Sequence, residues 1–182
     1  SEQGFPLYLA AGTVVRGWAL AESGRAPEGV ATIRQGLAAY AATGAEMWSP
    51  YFLGLLGEAL GRAGEAASGL NHVADALAHA GRLGARWIVP ELHRFRGMLH
   101  LALPEPAAPT AEACFREALA VARTQDARLW ELRTATDLAR LCAGQGRRPQ
   151  ARELLVPLYD RFEKGAATRD LRDAKVLLDE LG

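Results

Sequence analysis

His72, Asp75 and His79 are spaced so that one face of a helix would present two imidazoles and a carboxylate, the donor set of a metal site. The two imidazoles are seven residues apart, about 10 Å along a helix. One ion needs each ligand atom within ~2 Å, so these residues read as a solvated polar face. His93 and His100 repeat the spacing and fail for the same reason. Nucleophilic catalysis needs Ser or Cys beside a base and an orienting group. Cys114 adjoins Phe115 on a face of small residues and Cys142 falls at an apolar position, so both read as core. There is no CxxC pair, and no glycine-rich loop ends in Gly-Lys-Ser or Gly-Lys-Thr. The expectation is no catalytic residue, no cofactor and no metal. Trp18, Trp48, Trp87 and Trp130 remain as large rings with a task to explain.

The bulk numbers narrow the class. The chain has 182 residues, 49% of them hydrophobic, and 21 Lys+Arg balance 21 Asp+Glu. That is enough apolar surface for a core, and the charge balance argues against nucleic acid, whose phosphates call for a basic surplus. No apolar run reaches the ~18–20 residues of a membrane span. Two free cysteines fit a reducing, cytoplasmic location. The opening SEQGFPLYLAAG already carries apolar periodicity, so the chain reads as an excised segment of a longer protein.

The glycines explain the architecture. Gly24, Gly64 and Gly146 each precede, by five residues, a tiny residue: Gly29, Gly69 and Ala151. Seven residues before those turn glycines come Gly17, Gly57 and Ala139. A third unit, with the longer turn LPEPAAPT, supplies Gly97 and Ala111. Positions 29, 69, 111 and 151 are therefore 40, 42 and 40 apart. Antiparallel helices can cross closely only where side chains are tiny, so such a pattern marks helix pairs. Ile33, Val73, Phe115 and Leu155 fill one equivalent apolar position beside the crossings. One pair cannot bury its apolar face alone, whereas stacked pairs share a core.

The pattern predicts helices at 5–22, 27–43, 50–62, 66–82, 88–102, 110–125, 128–143, 149–163 and 169–181. Units run over 5–43, 50–82, 88–125 and 128–163, with a cap at 169–181, as one domain spanning 1–182. Ser49, Thr110 and Thr168 are the expected N-caps, and Pro157 should kink the eighth helix. The last helix should bury Leu171, Ala174, Leu178 and Leu181 and leave its other face charged. Trp48, Trp87 and Trp130 fall near unit junctions, where a ring can wedge one unit against the next.

These small-residue positions resemble the tetratricopeptide repeat from Gly17 to about Tyr159, although the period is near 40 residues instead of the usual 34. The stretches FPLYLAAGTVVRGWALAESG, VPELHRFRGMLHL, FREALAVARTQDARLWELRTATDLARL and LYDRFEKGAATRDLRDAKVLLDEL resemble the C-terminal repeats of bacterial class III adenylate/guanylate cyclases fused to a signal-transduction ATPase, and of related ATPase regulators. The resemblance implies an all-α, right-handed α-α superhelix of about four helix pairs plus a C-terminal capping helix. It further implies a concave groove built from first helices.

Carried onto this sequence, the groove positions are Trp18, Tyr51, Glu58, Glu91, Arg94, Met98, Arg133 and Arg140, with Val14, Ala21, Leu101 and Thr136 beside them. Such a surface would grade from aromatic to Arg-rich. Its arginines could fork onto an anionic ligand, or Glu91, Arg94, Arg133 and Arg140 could neutralise one another. The functional expectation is a non-catalytic scaffold that binds a protein, a peptide or a neighbouring domain of its parent, with no nucleic acid or membrane partner. The alternatives are a small-molecule sensor and a structural spacer that forms a homodimer.

Overall fold

The computed structural model describes residues 4–162 and 168–182. Within them the chain is built from α1 (Gly4–Glu22), α2 (Ala26–Ala42), α3 (Ser49–Arg62), α4 (Ala66–Leu83), α5 (Val89–Leu101), α6 (Ala108–Thr124), α7 (Arg128–Gly144), α8 (Arg148–Tyr159) and α9 (Arg169–Leu181). A 3-10 turn, Arg86–Ile88, leads into α5. Consecutive helices pair as α1–α2, α3–α4, α5–α6 and α7–α8, and the first helices stack side by side in chain order, with α9 laid on α7 and α8. The result is an all-α superhelix of four helix pairs closed at its C-terminal end by α9.

The glycines sit where the backbones nearly touch. A Cβ on Gly29 would lie 2.5 Å from the Gly17 carbonyl oxygen, and one on Gly69 would lie 2.6 Å from that of Gly57. In the third unit the crossing is looser, and Gly97 receives the ring of Phe115 instead. The turns within pairs reverse on Gly24, Gly64 and Gly146 at φ of 88°, 84° and 78°, a left-handed conformation that glycine adopts without steric cost. Between units the same conformation falls on Gly44 and Gly84, and Asp126 takes it at the third junction with φ 50°.

Helix ends follow the prolines more closely than the proposed caps. Ser49 is the first helical residue, with Trp48 at the N-cap position, and Thr110 lies inside the first turn of α6. In both helices a proline occupies the first turn, where its missing N–H leaves one orphan donor fewer. Thr168 does cap α9, its hydroxyl accepting from the Leu171 N–H at 3.3 Å. Pro157 lies in the last turn of α8, which ends at Tyr159 and not at 163; residue 163 itself is outside the described residues. α9 buries Leu171, Ala174, Leu177 and Leu181, so Leu177 replaces the expected Leu178, which is only half-buried.

The tryptophans form a ladder across the junctions. Trp48 meets Trp87 edge-on at 5.2 Å between centroids, and Trp87 meets Trp130 at 6.1 Å. Tyr40, stacked edge-on against Phe52 at 5.0 Å, accepts the Trp48 N–H through its hydroxyl. Cys114 and Cys142 are both buried and unpaired.

Candidate binding site on the concave face

First helices supply the concave surface because each is flanked on one side by its own second helix and on the other by the next unit. Trp18 from α1, Tyr51 and Glu58 from α3, Glu91, Arg94 and Met98 from α5, and Arg133 and Arg140 from α7 all line one cavity of about 390 Å³. Thr136 joins them. Val14 and Ala21 do not: Val14 packs against Gly36, Ala21 packs against Gly29, and both are buried inside the first pair. They lie on the flank of α1 that faces α2, so they serve the crossing. Leu101 lines an adjacent apolar depression with Ala102, Phe115 and Leu141.

The charges in the cavity form a network. Arg94 donates from Nε and Nη2 to both oxygens of Glu91, at 2.8 and 2.9 Å, and from Nη1 to Asp137 at 2.8 Å. Arg133 donates to Glu91 at 2.7 Å and grips Asp170 of α9 through Nε and Nη2 at 2.8 and 2.9 Å. Arg140 reaches Asp137 at 3.1 Å. Of the two arrangements open for the arginines, anion binding or mutual neutralisation, the side chains adopt the second, each guanidinium being held by carboxylates. Arg140 uses Asp137 in place of Glu91.

Burial and pairing set the protonation states. Burial raises the Glu91 carboxyl, but Arg94 and Arg133 outweigh it and hold the group below the usual carboxylate range. Burial also opposes charge on Arg94, and Glu91 and Asp137 more than offset it, so the guanidinium stays charged. Glu58 differs. Burial dominates and lifts its carboxyl, with Arg94, the Trp18 indole and Arg62 compensating only in part. Its close partner is the Trp18 Nε1–H at 2.8 Å, while Arg62 stands off at 3.4 Å. Burial and Glu91 together raise the neighbouring Tyr51 phenol.

Further residues line the cavity, and for Glu22, Asp170 and Asp173 no repeat signal would have exposed them. Glu22 ends α1, where it pairs with Arg62 of α3 and accepts from Arg169 of α9 at 2.6 Å. Leu55, Phe95 and Asp137 complete the wall, and Asp170 and Asp173 come from the capping helix. A signal for Leu55, Phe95 and Asp137 existed: they occupy one equivalent position in successive first helices. None existed for α9, whose direction is set by tertiary packing. The expected charged face of the cap is thus partly turned onto the concave surface.

His72 and His79 lie half-buried on α4, away from this cavity. Among the described residues no group of three or more His, Cys, Asp or Glu side chains could hold a metal ion. No helix among them is long and apolar enough to cross a membrane.

The overall path of the chain matches that of solved tetratricopeptide-like repeat proteins. A kinesin light chain-like protein of Podosopora anserina, described as carrying nearly identical TPR-like repeats, superposes with a TM-score of 0.64 at 15% identity, covering 97% of this chain and 86% of that one. A single-residue variant of it gives 0.65 at 15% identity, with 97% and 85% covered. The fold is a tetratricopeptide-like superhelix. No protein-family model matches the sequence, and no curated protein matched it.

Proposed function

We propose that this chain is a non-catalytic binding scaffold whose concave cavity receives part of a partner protein or peptide. The observation that carries the reading is the convergence of side chains from four successive first helices, and from α9, on one cavity. Helical repeats of this type use such surfaces for recognition, and the cavity supplies aromatic anchors beside polar groups with fixed positions.

The charge pattern selects among ligands. An acidic group would have to displace Glu91, Asp137 or Asp170 from an arginine already bonded to it. A basic or donor group would meet Glu58, the buried carboxylate whose charge is least compensated, between Trp18 and Tyr51. The scaffold therefore favours a short basic or amide-bearing side chain with an apolar stem that can lie on Leu55 and Met98.

We further infer that the module serves a larger bacterial signalling protein, a nucleotide cyclase or an ATPase regulator, and acts by occupancy of this cavity. The support is the run of stretches from FPLYLAAGTVV to LYDRFEKG that resemble the repeat regions of such proteins. A second reading, a pocket for a small effector, is favoured by one observation. The contact of Arg169 with Glu22 brings α9 to α1 and narrows the cavity to a volume in the range of small-ligand sites.

Binding of short peptides carrying basic, acidic or apolar central side chains, read by Trp fluorescence and calorimetry, tests both readings. Basic peptides should bind best, and Glu58→Gln should weaken them on the order of tenfold, the loss of one charged hydrogen bond. Equal binding of all three peptide classes, or binding unchanged by both Glu58→Gln and Arg140→Ala, would remove the cavity as the site. A thermal-shift screen of small metabolites addresses the second reading, since a ligand of the folded state raises the midpoint.

A further inference from the structure

The turn of the third unit breaks the repeat. In the other units three residues, 23–25, 63–65 and 145–147, join the first helix to the second, each turn reversing on a left-handed glycine. Between α5 and α6 six residues, 102–107, do so, closed by the Ala107 N–H donating to the His100 carbonyl at 3.1 Å. The packing beyond that turn differs too. At the seam between the second and third units Leu99 is buried against two glycines: a Cβ on Gly61 would lie 2.6 Å from its side chain, and one on Gly69 2.7 Å. At the next seam the residues equivalent to Leu99 and Gly61 are Leu141 and Leu101, and Ala111 stands where Gly69 does. Leu101 fills the place that Gly61 leaves open, so Leu141 cannot sink as Leu99 does and stays half-buried.

The result is an apolar depression of about 630 Å³ between α5, the long turn and α7, walled by Met98, Leu101, Phe115 and Leu141 with Ala102 and Ala108 on the turn side. It adjoins the concave cavity, since Met98, Asp137 and Arg140 line both. Glu58, Met98 and Arg140 hold one equivalent position in successive first helices. A straight path across the helices therefore leads from Glu58 over Met98 to the depression. The polar groups along it are complementary to a peptide. Glu58 is the buried acceptor at one end, bonded by the Trp18 indole at 2.8 Å and by Arg62 only at 3.4 Å. Arg140 is exposed at the other, and its 3.1 Å bond to Asp137 is longer than any that Arg94 or Arg133 makes to a carboxylate. An exposed guanidinium in that place can donate to a backbone carbonyl of a chain lying on Met98.

We propose that the depression is a second contact for the partner of the concave cavity: an extended segment that sets a lysine or arginine on Glu58 and, about four residues along, a Leu, Met or Phe side chain beneath the third turn. Such a segment presupposes that the cavity is a peptide site. Packed helices lie about 8–10 Å apart. The depression is about one and a half helix steps from Glu58, roughly 12–15 Å, which an extended chain covers in about four residues at ~3.3 Å each. Side chains four apart on an extended chain point to the same side, so both can face the scaffold. A spacing of three would turn one of them to solvent.

Fluorescence anisotropy of labelled Gly/Ser-rich peptides, each with one Lys and one Leu four residues apart and made in both sequence orders, tests the proposal on the chain as it stands. In one order, replacing the Leu by Ser should weaken binding roughly tenfold or more, and closing the spacing to two residues should weaken it as much. Leu141→Asp should abolish the gain due to the Leu and leave the Ser peptide unchanged. Ala102→Gln, at an exposed residue of the turn, should narrow the gain without disturbing the core. Glu58→Gln should weaken the Leu and Ser peptides by the same factor. If Leu and Ser peptides bound equally in both orders while Glu58→Gln still weakened them, the second contact would be overturned and the cavity would stand as a peptide site. A gain that survives both Leu141→Asp and Ala102→Gln, or that ignores the spacing, would overturn the second contact too. Peptides that do not bind, or that bind regardless of Glu58→Gln, would overturn the cavity along with it.

Discussion

At the scale of single residues, the cavity contrasts two buried glutamates. Glu91 is held by Arg94 and Arg133, and its lowered proton affinity means that it stabilises the fold above the usual carboxylate range and loses that contribution as the pH falls through its folded value. Glu58 works in the opposite direction. Its folded form binds a proton more readily than its unfolded form, so the fold is burdened above its raised folded value and relieved below the usual carboxylate range. Glu58→Gln keeps an oxygen for the Trp18 indole and removes the buried charge. The variant should melt higher than the parent at pH 7, and the difference should vanish as the pH drops below about 4, measured by thermal unfolding at several pH values. A midpoint at pH 7 lower than that of the parent would mean that Arg94 and Arg62 compensate the charge fully. Arg94 is a poor probe of binding for a related reason. Its removal would leave the buried Glu91 with Arg133 alone and Asp137 with the exposed Arg140 alone, and breaking such a buried pair costs about 3–5 kcal/mol, enough to unfold a marginal chain. The eight positions carried over from the repeat resemblance line one cavity, because first helices that stack in register turn equivalent positions to one side. The sequence could not say which oxygen meets which guanidinium, because Asp137 and Asp170 come within reach only after the helices have packed.

Among helices, the tiny residues separate into those that set crossings and those that do not. Gly29→Ala places a Cβ 2.5 Å from a backbone oxygen and 2.7 Å from the Ala21 backbone nitrogen, neither of which can move without shifting a helix. The substitution should cost roughly 1–3 kcal/mol, and Gly29→Leu more. Gly81→Ala meets nothing within 4 Å and lies at an ordinary helical φ near the end of α4. It should stabilise the chain by about 0.5–1 kcal/mol through helix propensity alone. Urea denaturation of the two variants reads both values, and a Gly29→Ala chain as stable as the parent or more so would refute the assignment of Gly29 to a crossing. Helix bodies were legible here because Ala, Leu and Gly recur with helical period. The starts of α3 and α6 shifted because Pro50 and Pro109 tolerate a first-turn place on either side of the position a hydroxyl cap would have fixed.

For the molecule as a whole, α9 does two jobs that an outermost cap helix need not combine. It buries the apolar end of the fourth pair, and its first turn carries Asp170 to Arg133 and Arg169 to Glu22, so the last helix touches the first across the concave face. These two links differ in weight. Arg133 with Asp170 is a paired, two-bond contact next to the buried Glu91, whereas Arg169 is 64% exposed in its side chain. Exposed ion pairs contribute ~0–1 kcal/mol and weaken with salt. Arg169→Ala should therefore leave the midpoint of urea unfolding nearly unchanged. What it should change is access: ligand association at the cavity should speed up in stopped-flow Trp fluorescence, and the gain should fade in wild type against variant as salt rises. Asp170→Ala should instead lower stability by about 1–3 kcal/mol, because it leaves two donors of Arg133 without their acceptor next to a buried pair. If Arg169→Ala were as destabilising as Asp170→Ala, the closing contact would belong to the core of the fold and not to the mouth of the cavity.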